Sequence, residues 1–404
     1  MASYGYEAIN NDGKEIKSSI EAENIELART QLKQQGLIVL KIKQQTALTK
    51  DINFDFLSKV SSRDLAVFCR QFVSMARAGV SILECLNLLW EQTENKVLAK
   101  AIREVKAEVE KGEPLADGLA KQPKVFPSLM VTTVAAGEAS GSLEVSLERM
   151  AGQFEKSAKT RALVKKAMIY PAVVAIVAVG VVIVMLVVVI PRYTEMFDQL
   201  GTELPGITKA VVAMSNFIIH YWFLLLPLII ALVIGIQKFK SSPAGQLTFG
   251  RLALKIPVMK NLVVKSACSQ LARTLGTLLA AGVPLVEAVE ITANTMENVL
   301  FKNAMMEAKE EVIKGSPLSE PLEQCGLFPP MLYHMIRIGE ESGNTEDMLN
   351  KLADYYDEEV EMATQSLMAA MEPMIILILA AIVGVLIAAV MAPMLTMYQS
   401  LDNL

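Results

Sequence analysis

The stretch Gly137–Phe154, GEASGSLEVSLERMAGQF, returns later in the chain as Gly339–Tyr356, GEESGNTEDMLNKLADYY. Each copy leads into a proline-marked apolar run, Ala172–Ile190 after Pro171 and Met374–Ala392 after Pro373. At about 1.5 Å of helical rise per residue, either uncharged run reaches close to the ~30 Å of one hydrocarbon core. A chain that repeats a glycine turn and a membrane-length run in this order folds as a tandem of one module, a helical body joined to a membrane helix. The 52% hydrophobic content and mean hydropathy of +0.38 of the 404 residues agree with an integral membrane protein.

The remaining landmarks recur in register. Arg70, Gly79, Glu84, Gly112 and Pro114 correspond to Arg273, Gly282, Glu287, Gly315 and Pro317. After a one-residue shift, Phe126-Pro127, Gly141 and Pro191 correspond to Phe328-Pro329, Gly343 and Pro393. Turn glycines and helix-start prolines kept twice mean one hairpin geometry kept twice. The expectation is an all-α integral membrane protein with two homologous six-helix bundles, at 61–168 and 237–372, three transmembrane helices and a small N-terminal ββαβ module.

That module covers 1–43. Tyr4–Ile9 alternates, Asn11-Asp12-Gly13 is a hairpin turn and Glu15–Glu21 returns. Asn24 caps a helix with Ile25, Ala28 and Leu32 on one face, Gly36 ends it, and Leu37–Ile42 forms the last strand. Residues 44–60 read as a linker, and Ser61 to Asp64 as a capping-box start. Ser81 with Glu84 opens the next helix, and Pro114 and Pro127 suit first helical turns.

The spans are expected at 169–191, 217–236 and 373–397, with an external loop at 192–216. Lys156, Lys159, Arg161, Lys165 and Lys166 precede the first span, and six basic residues from Lys238 to Lys265 follow the second without an acid. The positive-inside rule then puts the N-terminus and both bundles in the cytoplasm and the C-terminus outside. The stalk before the third span is acidic instead, with Lys156 and Lys159 aligned to Glu358 and Glu361. Electrostatic pairing of the two stalks is the sharper expectation; an orienting basic stalk beside a solvated acidic one is the plainer.

Several chemistries are missing from the sequence. No P-loop occurs, since Lys314-Gly315-Ser316 lacks the upstream glycine spacing. His220 and His334 have no cysteine or histidine partner nearby in sequence, so no metal or triad is expected. Net charge of −5 argues against nucleic acid. Cys69, Cys85, Cys268 and Cys325 have no CxxC spacing and read as buried small side chains. Residues 1–30 are polar and unlike a secretory leader. Glu138 and Glu340 are candidates for a divalent cation or a partner contact, with a helix-capping or core-bordering carboxylate as the simpler role. A small-molecule transporter is the alternative from another class, disfavoured because no span carries a charge. Ala380, Gly384 and Ala388 form a small-residue stripe suited to close helix packing within the chain or between copies.

The paired Gly-Glu-x-Ser-Gly motifs, the AGV turns at Ala78–Val80 and Ala281–Val283, KG-x-PL at Lys111–Leu115 and Lys314–Leu318, and the proline-bounded spans resemble the type II secretion system protein F family. That family includes the type IV pilus inner-membrane platform proteins. The resemblance covers essentially the whole chain. It implies a non-enzymatic platform without cofactors, embedded with membrane lipid in the inner membrane. Its implied partners are a hexameric cytoplasmic assembly ATPase, pilin or pseudopilin subunits, other inner-membrane alignment proteins and a second copy in a dimer. Against that background Gly137, Gly141, Gly339 and Gly343 read as a mechanical joint between body and stalk, with Ser142 and Asn344 as caps of the stalk helices.

Overall fold

A computed structural model describes residues 2–9, 15–22, 24–34, 38–44, 59–192, 195 and 206–401. It divides into two compact units, residues 1–59 and 60–404. In the first, β1 (Ala2–Ile9), β2 (Glu15–Ala22) and β3 (Ile38–Gln44) form an antiparallel sheet in the order β2-β1-β3. Helix α1 (Ile25–Gln34) starts at Asn24, whose Oδ1 accepts from Leu27 N at 2.8 Å. Ala28 and Leu32 are buried, but Ile25 is exposed, so the expected three-residue face is two residues wide. The Asn11–Gly13 turn, Gly36 and most of the 44–60 linker lie outside the described residues.

The second unit is helical throughout its described length. Its first repeat holds α2 (Ser62–Arg77), α3 (Ile82–Gln92), α4 (Lys96–Val109), α5 (Leu115–Ala120), α6 (Ser128–Ala139) and α7 (Leu143–Val184). Ser61 and Asp64 close a reciprocal capping box, and Ser81 accepts from Glu84 N. Gly79 and Gly112 end their helices at φ +83° and +93°, a left-handed geometry that is cheap only for glycine. Pro114 and Pro127 occupy N-cap positions, one residue before the first turn expected for them.

After α8 (Gly206–Ser241) comes α9 (Pro243–Lys255), a helix beyond the expected six. The second repeat proper is α10 (Pro257–Ala280), α11 (Leu285–Thr295), α12 (Val299–Ile313), α13 (Ser319–Gln324), α14 (Pro330–Ser342) and α15 (Thr345–Leu401). Both repeats share one continuous hydrophobic core, in which Phe126 packs on Phe68 and its counterpart Phe328 on Phe301.

Among the described residues two helices are long and apolar enough to cross a membrane, Leu143–Arg192 and the stretch from Thr345 to Ala392. The expected breaks at 168/169 and 372/373 are absent, because each stalk and its apolar run are one helix and Pro171 and Pro373 lie inside it. Proline is tolerated in such helices where neighbours take up the freed backbone groups. A third apolar stretch passes the same test only as a pair, Thr208–Tyr221 with Leu226–Ser241, bent by 85° beside the helix-interior Pro227. Residues 206–216, expected in a loop, are helical and clamp the other two helices. Thr208 Oγ1 donates to the Ala389 carbonyl at 2.9 Å, and Ser215 Oγ donates to the Leu186 carbonyl in the π-helical segment Met185–Val189. That one-turn widening frees a carbonyl for the hydroxyl to take.

Candidate functional site: the repeated turn and the paired stalks

The Gly-Glu-x-Ser-Gly turn joins α6 to α7 and α14 to α15, and each residue has the same job in both copies. A Cβ on Gly137 would stand 2.7 Å from Ser146 Cβ, and one on Gly339 would stand 2.8 Å from Thr345 Cα. Glycine is needed there because the short helix and the stalk cross at backbone distance. Gly141 and Gly343 take φ +69° and +71° and reverse the chain. The next residue then reaches back, with Ser142 N donating to the Gly137 carbonyl at 2.7 Å and Asn344 N to that of Gly339 at 2.9 Å. These are the long closing bonds of a Schellman turn. Ser140 and Ser342 fold their hydroxyls onto the carbonyls of Ala136 and Ile338.

The two glutamates cap helices. Glu138 accepts from Leu115 N and Ala116 N, each at 2.8 Å, at the start of α5. Glu340 accepts from Leu318 N at 2.6 Å, Ser319 N at 3.2 Å and Ser319 Oγ at 2.7 Å at the start of α13. A carboxylate held by backbone donators of a helix start is the simpler of the two expected roles. Among the described residues no group of three or more histidine, cysteine, aspartate or glutamate side chains is placed to hold a metal ion. Ser142 is a correction: its side chain makes no cap bond to α7 and faces Ser140 Oγ at 2.6 Å instead. Asn344 donates to Asp347 Oδ2 at 3.0 Å.

Beyond the turn the two stalks pair. Lys156 reaches Asp354 at 3.0 Å and Asp357 at 3.3 Å, and Lys159 reaches Glu361 at 3.3 Å. The ascending contacts make α7 and α15 parallel. Lys156 lies across Asp354 and Asp357, four residues and one residue before the aligned Glu358, while Lys159 meets its aligned counterpart Glu361. Arg273 joins from α10, bonding Asp354 at 3.0 Å and Asp357 at 2.5 Å. Burial raises the Asp354 carboxyl, but the hydrogen bonds from Arg273 and Lys156 outweigh it and hold the group below its ordinary value. Arg70, the counterpart of Arg273, grips Glu155 through both carboxylate oxygens within the first repeat.

Between the repeats lies a cleft of about 350 Å³ lined by Gln153, Lys156, Arg161, Gln270, Arg273 and Asp357, among others. Gln153 Oε1 and Arg273 Nε line it without a partner among the described residues. Gln153 escaped the sequence reading because it interrupts an otherwise apolar face beside Phe154, while Arg273 was already visible as the repeat of Arg70. Thr208 and Ser215 gave no signal beyond hydroxyls in a loop-like stretch. Cys69, Cys85 and Cys268 are buried and Cys325 is half-buried, all as free thiols. Burial pushes the Cys69 thiol up, and raises Cys268 to about 12, so neither is nucleophilic near neutrality. Ala380 and Gly384 face outward, and a Cβ on Gly384 would meet nothing within 4 Å. The packed face of α15 runs instead through Leu386 and Ala389.

The repeat is also what a family model matches. The model for type II secretion system protein F covers residues 68–191 and again 271–393, and the model for the N-terminal domain of that protein covers 1–43. The chain belongs to the type II secretion system protein F family. The protein F matches begin inside α2 and α10 and end at Pro191 and Pro393, so the family's unit is body, turn and membrane helix together. The chain is 36% identical over 405 residues to the type IV pilus assembly protein PilC of Thermus thermophilus, covering 100% of both chains. It is 36% identical over 383 residues to that of Myxococcus xanthus, covering 95% of this chain and 92% of the relative. The type II secretion system protein F of Vibrio cholerae is 32% identical over 400 residues, 98% of each chain.

Proposed function

We propose that this chain is the membrane platform of a type IV pilus assembly machine. Its helical bodies dock a hexameric cytoplasmic ATPase and pass the motion of that motor to pilin subunits leaving the membrane for the filament. The observation that carries the reading is full-length similarity at 36% identity to pilus assembly proteins, on a fold whose bodies run without a break into membrane-length helices. The 32% identity to a secretion protein F over 98% of the chain supports a second reading, the same platform serving a pseudopilus in protein secretion. Topology completes the proposal. Three spans, the third being α8, put both bodies and the N-terminus in the cytoplasm and the C-terminus outside, as the basic residues around Lys156 and Lys238 favour. Other inner-membrane alignment proteins complete the set of partners.

The turn is the proposed joint. Its glycines and backbone bonds fix the angle at which each stalk leaves its body, so a displacement of the body tilts the membrane helix. Gene deletion is expected to abolish surface filaments, and the wild-type chain to restore them and to co-purify with the assembly ATPase. Loss of secretion with normal filaments would move the assignment to the second reading. Replacing Gly141 and Gly343 together by alanine is expected to leave the protein in the membrane but stop assembly; normal assembly would remove the joint.

A further inference from the structure

An arginine stands at one equivalent position in each repeat, but only the first is fully used. Arg70 sets both Nε and Nη2 on Glu155 of its own stalk, with Nε at 3.0 Å. In the second repeat Asp357 stands where Glu155 stands in the first, one methylene shorter. Arg273 reaches Asp357 and Asp354 through Nη2 alone. Its Nε is left buried without an acceptor among the described residues. A donor on a charged group, hidden from water and from any acceptor, is rare in a folded protein.

That Nε lies in the cleft between the repeats, and a second open atom lines the same cleft. Gln153, on α7, is 8% exposed. Its Nε2 donates to Thr274 Oγ1 at 3.5 Å, while its Oε1 accepts from nothing among the described residues. Lys124 and Arg161 line the cleft as exposed cations. Lys124 has no ion pair among the described residues. Arg161 is held loosely, 3.5 Å from Ser62 Oγ and 3.6 Å from Glu297. With Lys156 and Arg273 these make four cations against two lining carboxylates, Asp357 and Glu297. Asp357 is already shared among Ser269, Lys156 and Arg273.

We propose that this cleft binds a small organic phosphate of mononucleotide size. Its volume of about 350 Å³ falls within the roughly 300–1,000 Å³ of small-molecule sites, whereas a single water takes roughly 30 Å³. The hidden donor and acceptor, Arg273 Nε and Gln153 Oε1, suit a group that both accepts and donates, such as a sugar hydroxyl or the amide edge of a base. The exposed Lys124 and Arg161 suit the phosphate, whose charge then stays near water. Val125, Leu129 and Phe154 supply an apolar wall between them. The phosphate of a bilayer lipid does not reach this place. Gln153 lies about 24 Å of helical rise before Ile169, where the first span is expected to begin. A ligand held there bridges α7 of one repeat to α10 of the other. The proposal holds for a pilus or a secretion platform alike.

Binding to the full-length protein in detergent micelles tests it, by calorimetry and by thermal unfolding at constant ionic strength. The probes are inorganic phosphate, ribose 5-phosphate, and adenosine and guanosine 5′-monophosphate. A ribose-bearing probe is expected to bind saturably and more tightly than inorganic phosphate, and to raise the unfolding midpoint. Gln153→Leu removes the open acceptor at similar volume. It is expected to leave the free protein as stable as before and to weaken binding about tenfold, the loss of one hydrogen bond. Lys124→Gln is expected to weaken binding several-fold and to reduce its salt dependence. Lys124 is exposed, so this variant decides the matter even if Gln153→Leu fails to fold. Absence of saturable binding by every probe overturns the proposal and leaves the cleft to water. Binding that is unchanged by Lys124→Gln and by a folded Gln153→Leu overturns it too, since the anion then sits elsewhere on the protein.

Discussion

The two repeats agree most closely in the turn that each builds within itself and least where they meet. At the Gly-Glu-x-Ser-Gly turn the copies match in every backbone bond, from the capping glutamate to the hydroxyl folded back on its own helix, and differ by one added bond from Ser319 Oγ to Glu340. On the stalks a few residues further on, lysines on α7 stand opposite aspartates and glutamates on α15. The turn is dictated by geometry inside each repeat, so duplication preserved it. The stalks face one another, and a surface facing its own duplicate gains most by changing sign. Fixed residues therefore mark internal construction here, and diverged ones mark the interface.

The strongest way to break this comparison is to remove the capping carboxylates. Glu138→Ala leaves Leu115 N and Ala116 N without their acceptor, at about 1–3 kcal/mol for each donor that water cannot reach. Glu340→Ala strands the Ser319 hydroxyl as well, and is expected to be the worse of the two by thermal unfolding in detergent. Equal losses would mean that the extra hydroxyl bond adds nothing. Gly137→Ala and Gly339→Ala come next, at about 1–3 kcal/mol of overpacking each. The close neighbours are Thr345 Cα at 2.8 Å for Gly339 and Ser146 Cβ at 2.7 Å for Gly137, and the backbone fixes both. The two variants should therefore lose stability to a similar extent, and a loss confined to one copy would show that the other turn can open.

Much of this was legible in the sequence because duplication marked it. Gly79, Gly112 and Gly141 showed through their counterparts at Gly282, Gly315 and Gly343, and all six do take positive φ. The stalk pairing was legible as charge, and so was half of its register: Lys159 meets its aligned Glu361, whereas Lys156 binds Asp354 and Asp357 rather than Glu358. Alignment reports common descent, whereas the reach of a long side chain decides which of several neighbouring carboxylates it meets. The role of Glu138 could not be fixed because its partners are backbone N–H groups from another helix, and backbone donors leave no trace in side-chain patterns. Which face of each repeat meets the other was illegible as well. It appears only when Gln153 and Tyr355, at equivalent positions, turn out to differ in burial.

Acid should separate the repeats before it unfolds either. The folded Asp354 carboxyl titrates below its unfolded value, so its contribution is present above the unfolded carboxylate range and lost as pH falls through the folded pKa. Crosslinking between Lys156 and the second repeat is therefore expected to fall in that acid window. Asp354→Asn should flatten that part of the profile while leaving the neutral plateau slightly lower; an unchanged acid limb would remove Asp354 as its source.

The smallest effect is the most discriminating. Lys159 and Glu361 are exposed counterparts of one another and meet across the two stalks at 3.3 Å. An exposed pair of this kind contributes about 0.2–1 kcal/mol, and salt screens it. Lys159→Glu and Glu361→Lys should each lower stability slightly, and the double reversal should restore it, because the pair is symmetric in position and only its sign is exchanged. A double-mutant cycle at low and high salt measures this coupling directly. Coupling that vanishes in salt fits a pair formed after the stalks are brought together by the shared core. Coupling that survives salt would mean that charge helps to hold the stalks in register, and would make the sign change between the repeats a requirement of the fold. Failure of the double reversal to recover any stability would remove the pairing and leave the acidic stalk as a solvated surface.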